Sequence, residues 1–273
     1  MIEYPAVNPE IVRVGPLAVR WYGMMYLLGF ASSYLLVRRQ IKERGKTGAG
    51  KSGSAAGTDV RTLRLAEADT LYTYLIIGLL LGARLGYALF YNFSYYLRHP
   101  LEVFAVWHGG MSFHGGFIGS VIAGLLFCRH FKVDFWDAAD LVIATAPIGI
   151  GLGRIGNFIN AELYGRPSGV PWAMVFPGGG PLPRHPSPLY EFLLEGVVLF
   201  AVLWTVKGKG LKRGVLTALF IILYGCFRFF VEFFREPDSQ LGFVLGFLTM
   251  GQVLSGLMVL AGVLLFLYRK KAA

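Results

Sequence analysis

Seven apolar runs constrain this chain more than any other feature of it. They occupy residues 17–37, 68–91, 113–127, 138–156, 189–206, 215–234 and 247–268. A helix needs about 20 consecutive apolar residues to cross the hydrocarbon core of a bilayer. In that core each backbone polar group must find its partner within the protein. The expectation is therefore an all-α polytopic membrane protein with seven transmembrane helices. Composition agrees. Only 15% of the residues are charged and the mean hydropathy is +0.56, whereas a soluble domain carries about a quarter charged residues.

The basic residues set the orientation. Arg38, Arg39, Lys42, Arg44, Lys46, Lys51, Arg61 and Arg64 follow the first run, and Arg129 and Lys132 follow the third. Lys207, Lys209, Lys212 and Arg213 follow the fifth, and Arg269, Lys270 and Lys271 follow the last. They lie on alternate connections, so the positive-inside rule makes that side cytoplasmic, with the N-terminus outside and the C-terminus inside. The net charge of +10 is thus spread between apolar blocks and does not point to a nucleic-acid partner. The first ten residues lack the basic start and cleavage site of a signal peptide.

We read residues 1–273 as one integral-membrane domain. Residues 45–64 form a flexible, basic cytoplasmic linker, rich in Gly and Ser. Gly45, Gly50, Lys51 and Ser52 imitate a phosphate-binding loop, but no strand precedes them as that motif requires. The opposite connections are longer and aromatic, and residues 157–188 are expected to form a small extracytoplasmic head. Trp21, Tyr22, Tyr91, Tyr95, Tyr96, Trp107, Tyr164 and Trp172 gather towards that side, as an interfacial belt does.

Polar side chains inside apolar runs mark function by default, because lipid penalises them by several kcal/mol. The sharpest case is the stretch from Gly151 to Pro167. Arg154 and Asn157, at i, i+3, share one helix face, and a guanidinium beside a carboxamide suits a phosphate or ester head group. A structural ion pair at the mouth of a bundle explains the segment equally well. In the sixth run Tyr224, Arg228 and Glu232 recur every four residues, with Arg235 three further on, and so line one stripe. Glu232 is expected to hold Arg228, leaving donors for an anion. Glu191 and Glu195, at i, i+4 in the fifth run, are expected to pair with arginines of other helices.

In the second run Gly78, Gly82 and Gly86 read as a packing stripe, while Arg84 is either a partner for a carboxylate or a substrate contact. His114, flanked by glycines at a helix start, is a candidate general base, although a lone histidine is more often structural. His108 is assigned no role. Neither the other histidines nor Cys128 and Cys226 show ligand or disulfide spacing, so no metal or cofactor is expected.

Several blocks closely resemble the prolipoprotein diacylglyceryl transferase family. They are Arg20-Trp-Tyr-Gly-Met-Met-Tyr26, Gly82-Ala-Arg-Leu-Gly-Tyr87, Gly109-Gly-Met-Ser-Phe-His-Gly-Gly116, residues 153–166, Arg184-His-Pro-Ser-Pro-Leu-Tyr-Glu191 and residues 228–238. They span nearly the whole chain in the family's order. The resemblance implies a multi-pass enzyme of the bacterial cytoplasmic (inner) membrane. Such an enzyme transfers diacylglyceryl from phosphatidylglycerol to the lipobox cysteine of a prolipoprotein signal peptide, forming a thioether and releasing glycerol phosphate. It implies functional roles for Tyr22, His114, Arg154, Asn157, Gly165, Arg166, Tyr224 and Arg228, with Glu162 and Glu232 holding arginines or, for Glu162, serving as a base.

The rival from another class is an anion or lipid transporter that uses the intramembrane arginines. Inverted repeats and midplane broken helices would favour it, and neither is visible in the sequence. An intramembrane protease needs a Ser–His dyad or an aspartate pair, and Ser112 lies too near His114 along one helix start to make the first.

Overall fold

The computed structural model describes residues 2–5, 7–15, 17–46, 61–105, 109–237, 243–244 and 248–271. Most of the linker, with Gly50, Lys51 and Ser52, lies outside the described residues, as do Trp107, His108 and Asp238. In chain order the helices are α1 (Trp21–Lys46), α2 (Ala68–Phe90), α3 (Phe93–Arg98), α4 (Phe113–Phe131), α5 (Phe135–Ile143) and α6 (Ala146–Ile159). Then come α7 (Ser187–Glu191), α8 (Leu199–Val206), α9 (Val215–Val231) and α10 (Met250–Lys271). A π-helical stretch, Phe192–Val198, joins α7 to α8 in one continuous rod.

Each of the seven apolar runs lies largely on helix, and the differences have local causes. The first run loses residues 17–20, which form a strand. The fourth is bent by 42° between α5 and α6, because Pro147 supplies no N–H to the preceding turn and restrains the residue before it. By length and apolar composition, Leu65–Phe90, Ser187–Val206 and Met250–Lys271 can each cross a membrane, and the bent α5–α6 pair makes a fourth span when taken as one. Leucines on their outer faces, such as Leu81, Leu89, Leu257 and Leu264, are exposed, as lipid-facing positions are. The chain is a mostly helical, multi-pass membrane protein.

Short strands stand outside the all-α expectation. β1 (Ile2–Glu3) pairs in parallel with β4 (Met174–Val175), β2 (Glu10–Val14) forms a hairpin with β3 (Leu17–Arg20), and β5 (Phe243–Val244) pairs with β6 (Leu248–Thr249).

The described residues form two compact units, one from Arg38–Ala138 and one from Met1–Val37 with Ala139–Ala273. In the first, α2 and α4 meet backbone to backbone. A methyl added at Gly82 would stand 2.8 Å from the Gly119 Cα, and one at Gly86 would stand 2.7 Å from the Gly115 Cα. Small residues permit that approach, where dispersion replaces the hydrophobic drive that lipid removes. In the second unit Ala144, Leu199, Leu203 and Leu216 form a buried cluster. Asp140 caps α9 there, accepting from Gly214 N at 2.6 Å and Thr217 N at 2.8 Å.

Candidate functional site

Close backbone approach builds the centre of the larger unit. Gly151 of α6 and Gly196 of the π-helical stretch lie so near that a methyl on either would stand 2.8–3.0 Å from the other's Cα. That contact brings Arg154 to two carboxylates. Its Nε stands 2.8 Å from Glu191 Oε2, at ion-pair distance but out of line for a hydrogen bond, and its Nη2 stands 3.6 Å from Glu195 Oε2. The widened π-helical turn that carries Glu195 is a common device at functional sites.

From α9, Arg228 Nη1 donates to Glu191 Oε1 at 2.6 Å, and its Nη2 lies 2.9 Å from Glu232 Oε2. Arg235 Nη1 donates to the same Glu191 oxygen at 3.1 Å. Glu191 is therefore a hub for three guanidiniums, and the pairing expected of Glu191 and Glu195 is present. Glu232 holds Arg228 as expected and also accepts from Thr249 Oγ1 at 3.0 Å. The Tyr224 phenol lies beside Arg154.

Exposure sorts the two charges. The side chains of Arg154, Arg228 and Arg235 are 21%, 17% and 12% exposed, while Glu191 and Glu195 are fully buried and Glu232 is 6% exposed. An incoming anion meets guanidinium edges first, with the carboxylates behind them. Removing one partner from a buried ion pair costs about 3–5 kcal/mol, so the carboxylates fix where the cations stand.

The other candidates surround this core. The Tyr22 ring rests on Gly156, where a Cβ would stand 2.8 Å from it, and its hydroxyl is 3.2 Å from that of Tyr26. Asn157 Nδ2 donates to Glu162 Oε1 at 2.8 Å and Asn160 Nδ2 to the same oxygen at 3.3 Å. Glu162 thus holds two asparagines among the described contacts, where an arginine was expected. A loop shields its ends with backbone pairing. Gly165 N donates to His185 O at 2.8 Å, Arg166 N to Phe234 O at 2.9 Å, and Arg166 Nε to Arg235 O at 2.9 Å. A side chain at Gly165 would collide with the Phe234 carbonyl and with His185, so only glycine fits. His185 lies against the Phe234 ring, and burial lowers its pKa below the ordinary imidazole value.

His114 and Arg84 belong to the smaller unit. His114 is exposed at the start of α4, where Ser112 Oγ accepts from Gly115 N at 3.2 Å. Arg84 is held by backbone carbonyls where a carboxylate was one expectation. Its Nε donates to Val103 O at 2.8 Å, Nη1 to the carbonyls of Gly109 and Gly110, and Nη2 to Glu102 O at 2.6 Å and Ala105 O at 2.9 Å. All five guanidinium N–H groups are used on backbone. Among the described residues, no group of three or more His, Cys, Asp or Glu side chains is arranged to hold a metal ion.

Tyr4 was not among the sequence candidates, and its hydroxyl donates to Phe158 O at 2.6 Å beside the end of the Arg154 helix. No motif signals such a contact across the length of the chain.

The family model described as prolipoprotein diacylglyceryl transferase matches residues 9–268. A phosphatidylglycerol–prolipoprotein diacylglyceryl transferase of Desulfotalea psychrophila is 51% identical over 271 residues, covering 97% of this chain and 94% of the relative. Proteins of the same name from Geobacter sulfurreducens and Pseudomonas aeruginosa are 52% and 48% identical, covering 96% and 100% of this chain and 95% and 98% of their own. On the nearly full-length match and this level of identity, the chain belongs to the prolipoprotein diacylglyceryl transferase family.

Proposed function

We propose that this chain transfers the diacylglyceryl group of phosphatidylglycerol to the lipobox cysteine thiol of a prolipoprotein, forming a thioether and releasing glycerol phosphate. The observation that carries the site assignment is the charge layering around Glu191, with three guanidinium edges outside and buried carboxylates behind. Such a surface binds a phosphodiester and keeps its donors oriented while charge builds on the departing phosphate.

In this reading Arg154 and Arg228 hold the phosphate, with Tyr224 beside Arg154. The lipid carbon–oxygen bond breaks as the thiolate sulfur attacks that carbon, and the phosphate leaves with the bond's electrons. Thiolate is the nucleophilic form, and His114 takes the thiol proton. Tyr22 and Asn157 bond the glycerol or ester oxygens, with Glu162 orienting Asn157. Gly165 and Arg166 fix the loop against the turn that follows α9, and Glu232 holds Arg228. The reaction draws no nucleic-acid partner.

The finer topology is part of the same proposal. Seven helices cross the bacterial inner membrane as one catalytic domain, with the N-terminus outside, the C-terminus in the cytoplasm, a cytoplasmic linker at residues 45–64 and a head at residues 157–188. The basic residues on alternate connections support it.

The test uses purified enzyme, phosphatidylglycerol vesicles and a synthetic lipobox peptide, with glycerol phosphate release as the readout. Arg154→Ala and Arg228→Ala are each expected to lose at least about 100-fold in rate, the scale of one oriented transition-state donor. His114→Gln is expected to retain a residual rate that rises with pH as free thiolate accumulates. Wild type that binds the lipid and releases nothing would sink the reading and favour anion transport.

A further inference from the structure

The turn after α6 is held in a conformation its residues disfavour. Ala161 and Leu163 both have left-handed backbone, with φ of 54° and 57°, where a Cβ brings strain that glycine escapes. Glu162 stands between them. Its carboxylate takes Asn157 and Asn160, and its N–H donates to Asn157 O at 3.1 Å. A turn strained at two of three positions persists only where its surroundings over-determine it.

One hold is Ser187, whose Oγ donates to Leu163 O at 2.8 Å. Another comes from the start of the chain. Tyr4 Oη donates to Phe158 O at 2.6 Å, with Ile159 O at 3.1 Å. Phe158 O, one of the last carbonyls of α6, also accepts from Ala161 N at 3.0 Å, so one oxygen joins Tyr4 to the strained turn. The Tyr4 ring packs on Phe158 and Phe176, with centroids 5.4 and 5.1 Å apart. The pairing of Ile2 with Met174 sets the strand that delivers it. Burial raises the pKa of this phenol above its ordinary value, so the hydroxyl keeps its proton and remains a donor across the neutral range.

We propose that Tyr4 is a positioning residue for the transfer reaction, its hydroxyl locking the end of α6 and the 160–163 turn so that Asn157 and Glu162 stand where the lipid head group binds. This rests on the reading of Asn157 and Glu162 as head-group residues given above.

The experiment compares full-length Tyr4→Phe, Ala161→Gly, the double variant and Asn157→Ala in the glycerol phosphate assay, with phosphatidylglycerol and lipobox peptide varied separately. Tyr4→Phe removes one oxygen and keeps the ring. It is expected to raise KM for phosphatidylglycerol about tenfold, the scale of one lost buried hydrogen bond, while KM for the peptide stays level. Adding Ala161→Gly is expected to recover most of that loss, because glycine adopts the left-handed turn unaided. A merely structural strap would depress the yield of folded protein and every kinetic parameter together, without rescue at position 161. Tyr4→Phe with wild-type KM, or a defect that Ala161→Gly leaves untouched, overturns the role of Tyr4. Asn157→Ala with wild-type KM overturns the head-group reading and the proposal with it, whereas Asn157→Ala impaired beside an unimpaired Tyr4→Phe removes the role of Tyr4 alone.

Discussion

This protein gives its membrane arginines two different surroundings. Arg84 spends all five N–H groups on the carbonyls of residues 102–110. Arg154 and Arg228 spend theirs on carboxylates that lie deeper than they do, and keep an exposed edge. The first arrangement saturates the guanidinium and ties down a loop. The second neutralises most of its charge and leaves directed donors for something else. Burial alone does not separate a structural arginine from a binding one. In the proposed reading the count of unspent donors does.

The largest loss is expected at Glu191. Glu191→Gln takes the shared negative charge from between Arg154, Arg228 and Arg235, leaving three cations close together. Loss of one partner from a buried pair costs about 3–5 kcal/mol, and displaced guanidiniums lose a further factor of about 100 in rate. Thermal unfolding in detergent and glycerol phosphate release would both fall. A variant within tenfold of wild type in release would mean that the hub does not place the arginines.

Arg84→Lys is the matching test on the other side. An ammonium has three donors on a point charge and cannot reach five carbonyls in a plane. At least two buried or part-buried carbonyls would lose their partner, at up to about 1–3 kcal/mol each. Stability is expected to drop while KM for phosphatidylglycerol stays near wild type. A raised KM with unchanged thermal stability would show Arg84 to be a ligand contact after all, and would erase the distinction.

A finer cut separates the two glutamates. Glu191 is engaged by all three arginines, whereas neither Glu195 oxygen accepts a hydrogen bond among the described residues and its ion pair to Arg154 is 3.6 Å long. Glu195→Gln is therefore expected to cost less than about tenfold in rate, against the far larger loss for Glu191→Gln. Equal losses in the two variants would mean that charge count, and not placement, governs the cluster.

These contrasts explain what the sequence could and could not say. Periodicity placed Tyr224, Arg228 and Glu232 on one stripe, because that follows from the rise of a helix, whereas Arg235 falls beyond the end of α9 and still reaches Glu191. The spacing of Glu191 and Glu195 foretold arginine partners. The glycine stripe of α2 likewise foretold packing. The fate of Arg84 was hidden, since its partners are backbone carbonyls and every residue has one. Glu162 was hidden for a related reason. Its partners, Asn157 and Asn160, lie within its own turn, and the left-handed Ala161 that sets them there carries no sequence mark, unlike the glycine such positions usually hold. Tyr4 needed knowledge of a parallel pairing between Ile2–Glu3 and Met174–Val175, which only the fold supplies.

The smallest effect sharpens the contrast between permanent and titratable charge. Guanidiniums stay charged across all usable pH, so the arginines themselves add little pH dependence. His185 is different. Its ring meets Phe234 and the Tyr190 hydroxyl, 3.0 Å from Nδ1, and burial lowers its pKa below the ordinary value of about 6.5. The unfolded chain then binds the proton more readily than the folded one, so stability is complete above the ordinary value and declines as pH falls below it. Between pH 7.5 and 5, wild type should lose roughly 1–2 °C more in Tm than His185→Gln. Parallel slopes in the two proteins would place the acid sensitivity elsewhere, and would leave the Gly165 loop held by groups that do not titrate in that range.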